Sequence, residues 1–419
     1  MRRRLPMLAW LLTLPVLAGS LPAMAKTCAL DVVPAATLLL PYFEVDLTRP
    51  DGRTTLISIN NASDRATLAH VVLWTDLGVP TLAFDVYLTG YDVQTVNLRD
   101  LFTGHPPATA DAGHDPKDTV SPKGAFSQDV AIPGCDGLLP PPPPPPAVVD
   151  HLVKAHQGLA SPLLGGKCAA QVLGDSIERG YVTVDVVRRC TTLTPADPGY
   201  FGPDGAAAHD NVLWGDFFLV DAAGDVAEGE DLVRLESDPA RFAGHPTFYE
   251  RYVNGSGADG REPLPTVWES RYLNGGAFTG GTSMIYWRDS RIRNQPFVCG
   301  HPPNWYPLLS EYQSTVFFDE EEQVAALICP PITCPPPPSF FPAESGRVRV
   351  GGTALPVPYT FGWIYLDMKT FPRSPSRPGA TQAWLGTIHE AMGIFSVGYE
   401  ADPRDSGCNP LTVNPFPIP

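Results

Sequence analysis

Thr81-Leu-Ala-Phe-Asp-Val-Tyr-Leu-Thr89 alternates along its whole length. Leu82, Phe84, Val86 and Leu88 fall on one side; Ala83, Asp85 and Tyr87 fall on the other. A period of two marks a strand with one buried face. Gly90 ends the run, and Val93–Leu98 supplies the next strand. Upstream, Leu68–Trp74 closes at Asp76-Leu-Gly78, and Thr54–Asn60 closes at Asn61-Ala-Ser-Asp64. Short strands separated by polar turns in this way predict an antiparallel sandwich.

A second strand-rich region opens at Gly180. In Tyr181–Val187, Val182, Val184 and Val186 oppose Tyr181, Thr183 and Asp185. Asn211–Val220 and Asp231–Glu236 continue it. Trp268–Tyr272 and Thr282–Trp287 read as a hairpin across the bend Gly275–Gly281. Ser314–Phe318, Gly346–Val350, Thr360–Met368, Gln382–Ile388 and Ile394–Tyr399 complete the set, although Gln382–Met392 also fits a short helix. Between the regions lie seven prolines, Pro140–Pro146, and one helix candidate, Ala147–Gln157, with Val148, Leu152 and Ala155 on one face. A proline run is stiff and extended and serves here as a spacer or surface loop sooner than as a recognition ligand.

Composition agrees. The 419 residues include 48 Pro and 38 Gly, which interrupt helices and favour turns. The expected fold class is mainly β: two or three antiparallel β-sandwich-like domains with long Pro/Gly-rich loops and little helix. The expected division is 1–25 as a signal peptide, 26–102 as an N-terminal sandwich, 103–165 as a Pro-rich loop plus short helix, and 166–419 as a larger β-rich domain with room for two subdomains.

Residues 35–102 resemble the immunoglobulin-like or fibronectin-like β-sandwich modules of exported bacterial proteins. Gly180–Cys190, Val212–Glu236, Trp268–Trp287 and Phe361–Met368 together resemble a group of large exported bacterial proteins of unassigned function. That second resemblance implies a β-rich body and transfers no site residue.

Arg2-Arg-Arg4 precede an apolar run, Leu5–Leu17, and Ala23-Met-Ala25 supplies a small-x-small cleavage pattern. This reads as a cleavable secretory leader, too short to span a bilayer. Export to the periplasm, cell surface or medium follows, and no later segment is long and apolar enough to span a membrane. In an oxidising compartment the cysteines Cys28, Cys135, Cys168, Cys190, Cys299, Cys329, Cys334 and Cys408 become disulfide candidates. Cys329 with Cys334 could close a small local loop, and Cys28 with Cys408 could tie the two mature ends together, yet eight cysteines leave 105 connectivities open. Zinc lacks any CxxC or His-Cys cluster.

The formal charge of −16 makes the chain a poor candidate for nucleic acid or an anionic membrane surface, since both recruit Lys/Arg clusters, and no nucleic-acid partner is expected. Asp221, Asp225, Glu228, Glu230 and Asp231 crowd one short stretch and could supply oxygens to calcium. The EF-hand spacing is missing, and a solvated turn explains the same residues. No other cofactor is expected. Asp319-Glu-Glu-Glu322 reads as gatekeeping charge beside an apolar strand end. G-x-S-x-G and H-E-x-x-H do not occur, and His151 and His156 read as surface residues on different faces of the helix. Most tryptophans sit in apolar strands and read as core anchors. Trp305, beside Tyr306 in a proline loop, is the aromatic pair expected to contact a ligand. Asn61 and Asn254 match the N-glycosylation acceptor, which matters only in a eukaryotic host. The function expected is a non-enzymatic binding or structural role toward a protein or glycan at the cell surface. The alternative is a secreted, polysaccharide-acting hydrolase with carboxylates from separate strands.

Overall fold

Thr37-Leu-Leu-Leu-Pro-Tyr-Phe-Glu-Val-Asp46 shows no alternation because both of its faces are covered. In the computed structural model it forms β1 (Thr37–Asp46), buried at every position. A doubly covered strand reads as a continuous apolar run and escapes an alternation test. Pro41 sits inside it at a bulge, where the register slips between Leu40 and Phe43. The missing N–H is tolerated there, and the Pro41 carbonyl accepts from the Ser345 hydroxyl at 2.6 Å. The structure describes residues 33–109, 125–127, 130–224, 226–290, 293–302, 315–326, 341–352, 355–368, 382–391 and 395–404.

Along the chain follow β2 (Thr54–Asn61), β3 (Thr67–Thr75), β4 (Pro80–Leu88), β5 (Val93–Asn97), α1 (Leu98–Phe102), α2 (Pro146–His156), β6 (Ile177–Val187), β7 (Leu213–Trp214), β8 (Asp216–Asp221), β9 (Val226–Asp231), β10 (Val233–Leu235), α3 (Pro239–Phe242) and α4 (Glu250–Val253). Then come β11 (Val267–Leu273), β12 (Gly281–Arg288), β13 (Thr315–Phe318), β14 (Val324–Ala326), β15 (Ser345–Val350), β16 (Phe361–Asp367), β17 (Ala383–Ala391), β18 (Phe395–Glu400) and β19 (Asp402–Pro403). The protein is mainly β, with four antiparallel sheets and few helices. Sheet β10-β1-β6-β3-β4 faces sheet β5-β2-β8-β9, with β7 on β2; sheet β14-β13-β16-β11-β19 faces sheet β15-β12-β17-β18. One apolar core runs through all four.

Strand pairing crosses the boundaries drawn from sequence at 102 and 166. β1 lies between β6 and β10, and β2 pairs with β8, so residues 37–97 and 177–235 build the same two sheets. Pairings over such separations leave no local trace. The expected hairpin is also corrected: β11 pairs with β16 and β19, while β12 pairs with β15 and β17. The Gly-rich bend carries the chain from one sheet to the facing one. β17 is a strand, so the helical option for Gln382–Met392 falls away. β6 is buried on both faces from Gly180 to Val187, because β1 and β3 flank it centrally and layers cover it above and below. Gly180 is dictated by that crowding: a Cβ there would stand 1.9 Å from the Trp74 carbonyl oxygen.

The helix α2 forms as the sequence predicts, but His151 and His156 are both buried with Leu152 and Ala155. His151 bonds the Ser161 hydroxyl, and His156 bridges the Arg179 carbonyl and the Thr81 hydroxyl, so each buried imidazole is satisfied. The proline run before α2 lies along the edge strand β4, with Pro141, Pro142 and Pro144 near Leu82 and Phe84.

The two sandwiches meet around Tyr181. Its ring stacks on Trp74 (centroids 5.7 Å apart) and meets Trp287 edge-on at 6.0 Å. Its hydroxyl donates to Glu344 at 2.9 Å. Arg251 bonds the same Glu344 carboxylate, and Asn294 donates to its other oxygen at 2.6 Å.

Two disulfides stand among the described residues, Cys135–Cys190 and Cys168–Cys299. They close loops with sequence separations of 55 and 131, which loop entropy values at about 4 and about 5 kcal/mol. Cys28, Cys329, Cys334 and Cys408, and with them both pairings favoured from sequence, lie outside the described residues. No helix among the described residues is long and apolar enough to cross a membrane.

Two outcomes follow. Peptide mapping of the non-reduced protein yields the 135–190 and 168–299 cross-links, and their absence would refute these pairings. Arg251→Met strands the buried Glu344 carboxylate and costs about 3–5 kcal/mol in urea unfolding, whereas Arg251→Met combined with Glu344→Leu costs less than the two single changes together.

Candidate functional site

β9 and β18 are edge strands of different sandwiches, and a cleft of about 250 Å³ opens where they meet. Its walls come from five places. β1 contributes Glu44, and the start of β2 contributes Arg53 and Thr54. The β8–β9 hairpin brings Asp221 and Glu228; β15 brings Arg347; the end of β17 and start of β18 bring Glu390 and Phe395. Alternation explains the placement: on the sheet face that receives the β8–β9 hairpin, Arg347 lies beside Ile285, Gly386, Ile388 and Glu390.

The groups pair as donors and acceptors. Arg53 bridges two acids, with Nη1 at 2.8 Å from Glu44 and Nε at 3.1 Å from Asp221. Arg347 pairs with Glu390. Glu44 also accepts from the Tyr42 hydroxyl at 2.6 Å and lies 3.8 Å from Arg179. Burial alone would raise the Glu44 pKa, but the Arg347 and Arg53 charges and the Tyr42 bond outweigh it and hold the carboxylate below its usual range. Glu228 goes the other way. Burial raises it, the neighbouring Ser396 and Arg347 offset only part, and the Glu390 and Glu44 charges add to the rise. Phe395, 41 % exposed, supplies an aromatic surface at the mouth.

The acidic stretch expected as a calcium loop is the β8–β9 hairpin. Asp221 and Glu228 face the cleft, Glu230 is a neighbour one pleat along, and Asp231 turns away to Arg234 at 2.8 Å. Asp225 lies outside the described residues. Asp221, Glu228 and Glu230 share one face of the hairpin but are strung out along it, Asp231 lies on the other face, and no group of three or more ligands that could hold a metal converges among the described residues. Trp305 and Tyr306 also lie outside the described residues. Trp74, Trp268, Trp287 and Trp384 are core anchors, but Trp214 and Trp363 are 39 % and 41 % exposed. Asp319–Glu322 forms the exposed β13–β14 turn, with the Asp319 carboxylate accepting from the backbone N–H of Glu321 and Gln323.

Glu44, Arg53, Arg347 and Glu390 were not picked out from sequence. A lone acid inside an apolar run (Phe43-Glu-Val45) and arginines alternating with valine (Arg347-Val-Arg349) were the available signals.

Comparison with known proteins finds no matching family model, no similar curated protein and no similar solved structure. The immunoglobulin-like resemblance of residues 35–102 therefore rests on strand pattern alone.

The opposed shifts set a pH signature. Glu228 holds its proton more tightly folded than unfolded, so its contribution to stability is full below the ordinary glutamate range and is lost as pH rises through its folded pKa. Glu44 contributes above that range and loses its contribution as pH falls through its depressed pKa. Glu228→Gln therefore gains in melting temperature relative to the parent as pH rises from about 4 to 8, while Glu44→Gln loses over the same span. Parallel pH profiles for both variants and the parent would contradict the assignment.

Proposed function

We propose that this is an exported recognition protein whose cleft between the sandwiches holds a hydroxyl-rich ligand, a unit of a glycan. Export is supported by the leader pattern of residues 1–25 and by two disulfides, which belong to an oxidising compartment. The observation that carries the ligand class is the interleaving of guanidinium donors and carboxylate acceptors around a small cleft with Phe395 at its mouth. A sugar ring offers hydroxyls that both donate and accept, and a C–H face that packs on an aromatic ring. A purely anionic or cationic ligand would leave half of these groups unmatched.

A second reading, glycoside hydrolysis, is favoured by one observation: Glu228 is raised while Glu44 is lowered. Environments that push two carboxyls apart in this way mark acid and base partners. Against it, Glu44, Asp221 and Glu390 are each bonded to an arginine. A carboxylate neutralised in this manner is a poor base or nucleophile, so the raised Glu228 has no free carboxylate partner in the cleft. Binding is the better match.

Titration of the intact disulfide-bonded protein with a panel of neutral oligosaccharides tests both. Binding by at least one of them, weakened about tenfold or more by Glu390→Gln and by Phe395→Ala with unchanged melting temperature, is the expected result. Release of reducing ends that Glu228→Gln abolishes would replace binding by hydrolysis. No oligosaccharide binding at all would remove the glycan assignment.

A further inference from the structure

The outer face of sheet β14-β13-β16-β11-β19 carries a second surface, on the side of its sandwich away from the cleft. Register aligns Arg271, Trp363 and Phe318 across three neighbouring strands, with Leu273 and Phe361 in the adjacent row. Trp363 lies open at the centre, and the Arg271 guanidinium carbon sits 5.2 Å from its ring centroid. Past Tyr365 the same face closes: Val267, Val316 and Tyr365 are buried together. What remains open is a groove of about 660 Å³ floored by aromatic rings, far larger than the cleft.

Charge gives this groove a sign. Glu269, Asp319, Glu320 and Glu322 line it, against Arg271 alone among the cationic lining residues. Arg404 pairs with Glu269 at 3.4 Å, and Asp319 is engaged in its turn. Glu320 and Glu322 stay exposed on the rim. The surface combines an indole, whose face attracts cations, with carboxylates that pair with guanidinium or ammonium groups. In the cleft, by contrast, Arg53 and Arg347 engage Glu44, Asp221 and Glu390.

We propose that this groove docks an extended, arginine- or lysine-bearing segment of a partner protein, its basic side chains packing against Trp363 and pairing with Glu320 and Glu322. Charge complementarity selects that occupant over a neutral glycan, whose hydroxyls can donate to carboxylates but carry no charge to match their excess. Trp363 is the anchor, since buried aromatic anchors dominate such contacts; the rim acids confer sign and salt sensitivity.

The test is fluorescence anisotropy of a fluorescein-labelled hexa-arginine peptide with the full disulfide-bonded chain at 0.15 M salt. Binding is expected, reduced about tenfold by Trp363→Ala and about fivefold by Glu320→Gln with Glu322→Gln. Asp136→Asn with Asp150→Asn, which removes equal charge from exposed positions elsewhere, leaves it unchanged. These sites are exposed, so melting temperature stays at the parent value and loss of fold is separable from loss of contact. Equal weakening by both double variants would mean non-specific attraction to an acidic chain and would overturn the proposal. So would indifference to Trp363→Ala, absence of binding, or a neutral oligosaccharide that binds and is lost on Trp363→Ala. Because the cleft variants Glu390→Gln and Phe395→Ala leave this groove intact, failure here and failure of the glycan reading are told apart.

Discussion

Glu344 is a buried carboxyl at the seam between two sandwiches, and the arrangement of the molecule follows from satisfying it. Burying an ionisable group without partners is prohibitive, and burying one with partners is tolerated only in good geometry. Here the partners come from separate parts of the chain: Tyr181 from β6, Arg251 from α4, and Asn294 from the segment after β12. Each fixes the approach of one element to the others. The aromatic rings of Trp74, Tyr181, Trp287 and Phe248 then fill the surrounding space, with Phe248 and Trp287 centroids 5.0 Å apart. Hydrophobic packing alone is non-directional; the polar cluster gives the seam a single orientation.

The cleft is a by-product of that orientation. Two twisted sandwiches joined at a fixed angle cannot touch everywhere, and the cleft opens beside the edges β9 and β18, which themselves touch. Edge strands there carry charged residues, which discourages further strand pairing. Once partly enclosed, those charges need partners, and the arginines Arg53 and Arg347 supply them from both sandwiches. Coulomb attraction is stronger in a partly buried setting than at the open surface; these pairs each lie within one sandwich and fix its wall of the cleft, while the Arg347 charge acts across it on Glu44. Glu228 faces the Glu390 and Glu44 charges there, and these add to burial in raising its pKa.

Strands were legible in sequence wherever one face met solvent or where turns punctuated them, as in β2, β3, β4, β13, β15 and β16. β1 was not, because burial on both sides erases period two and Pro41 argues against a strand until the bulge is known. The hairpin reading of β11 and β12 failed because a glycine-rich bend looks the same whether the chain turns within a sheet or crosses to the facing one. His151 and His156 looked like surface residues since sequence does not reveal what covers a helix; the imidazoles found Ser161, Thr81 and the Arg179 carbonyl instead. The cleft joins residues 44, 53, 221, 228, 347 and 390, and only Asp221 and Glu228 drew attention, for calcium. Their roles come from arginines more than a hundred residues away in sequence, beyond the reach of any motif.

Trp363 illustrates the same limit from the opposite side. Phe361-Gly-Trp-Ile-Tyr-Leu-Asp367 reads as an apolar strand, and a tryptophan inside one is ordinarily a core anchor. Alternation assigns Ile364 and Leu366 to one face and Phe361, Trp363 and Tyr365 to the other, but it does not say which face is inward. The structure decides: Ile364 and Leu366 are buried in the shared core, Tyr365 is covered at one end, and Trp363 is left open beside Arg271. An exposed indole on a strand costs the fold an unburied aromatic ring, roughly 2 kcal/mol of forgone burial. A sheet face held rigid by cross-strand pairs on both sides is a setting in which that cost is offset by what the ring contacts from outside.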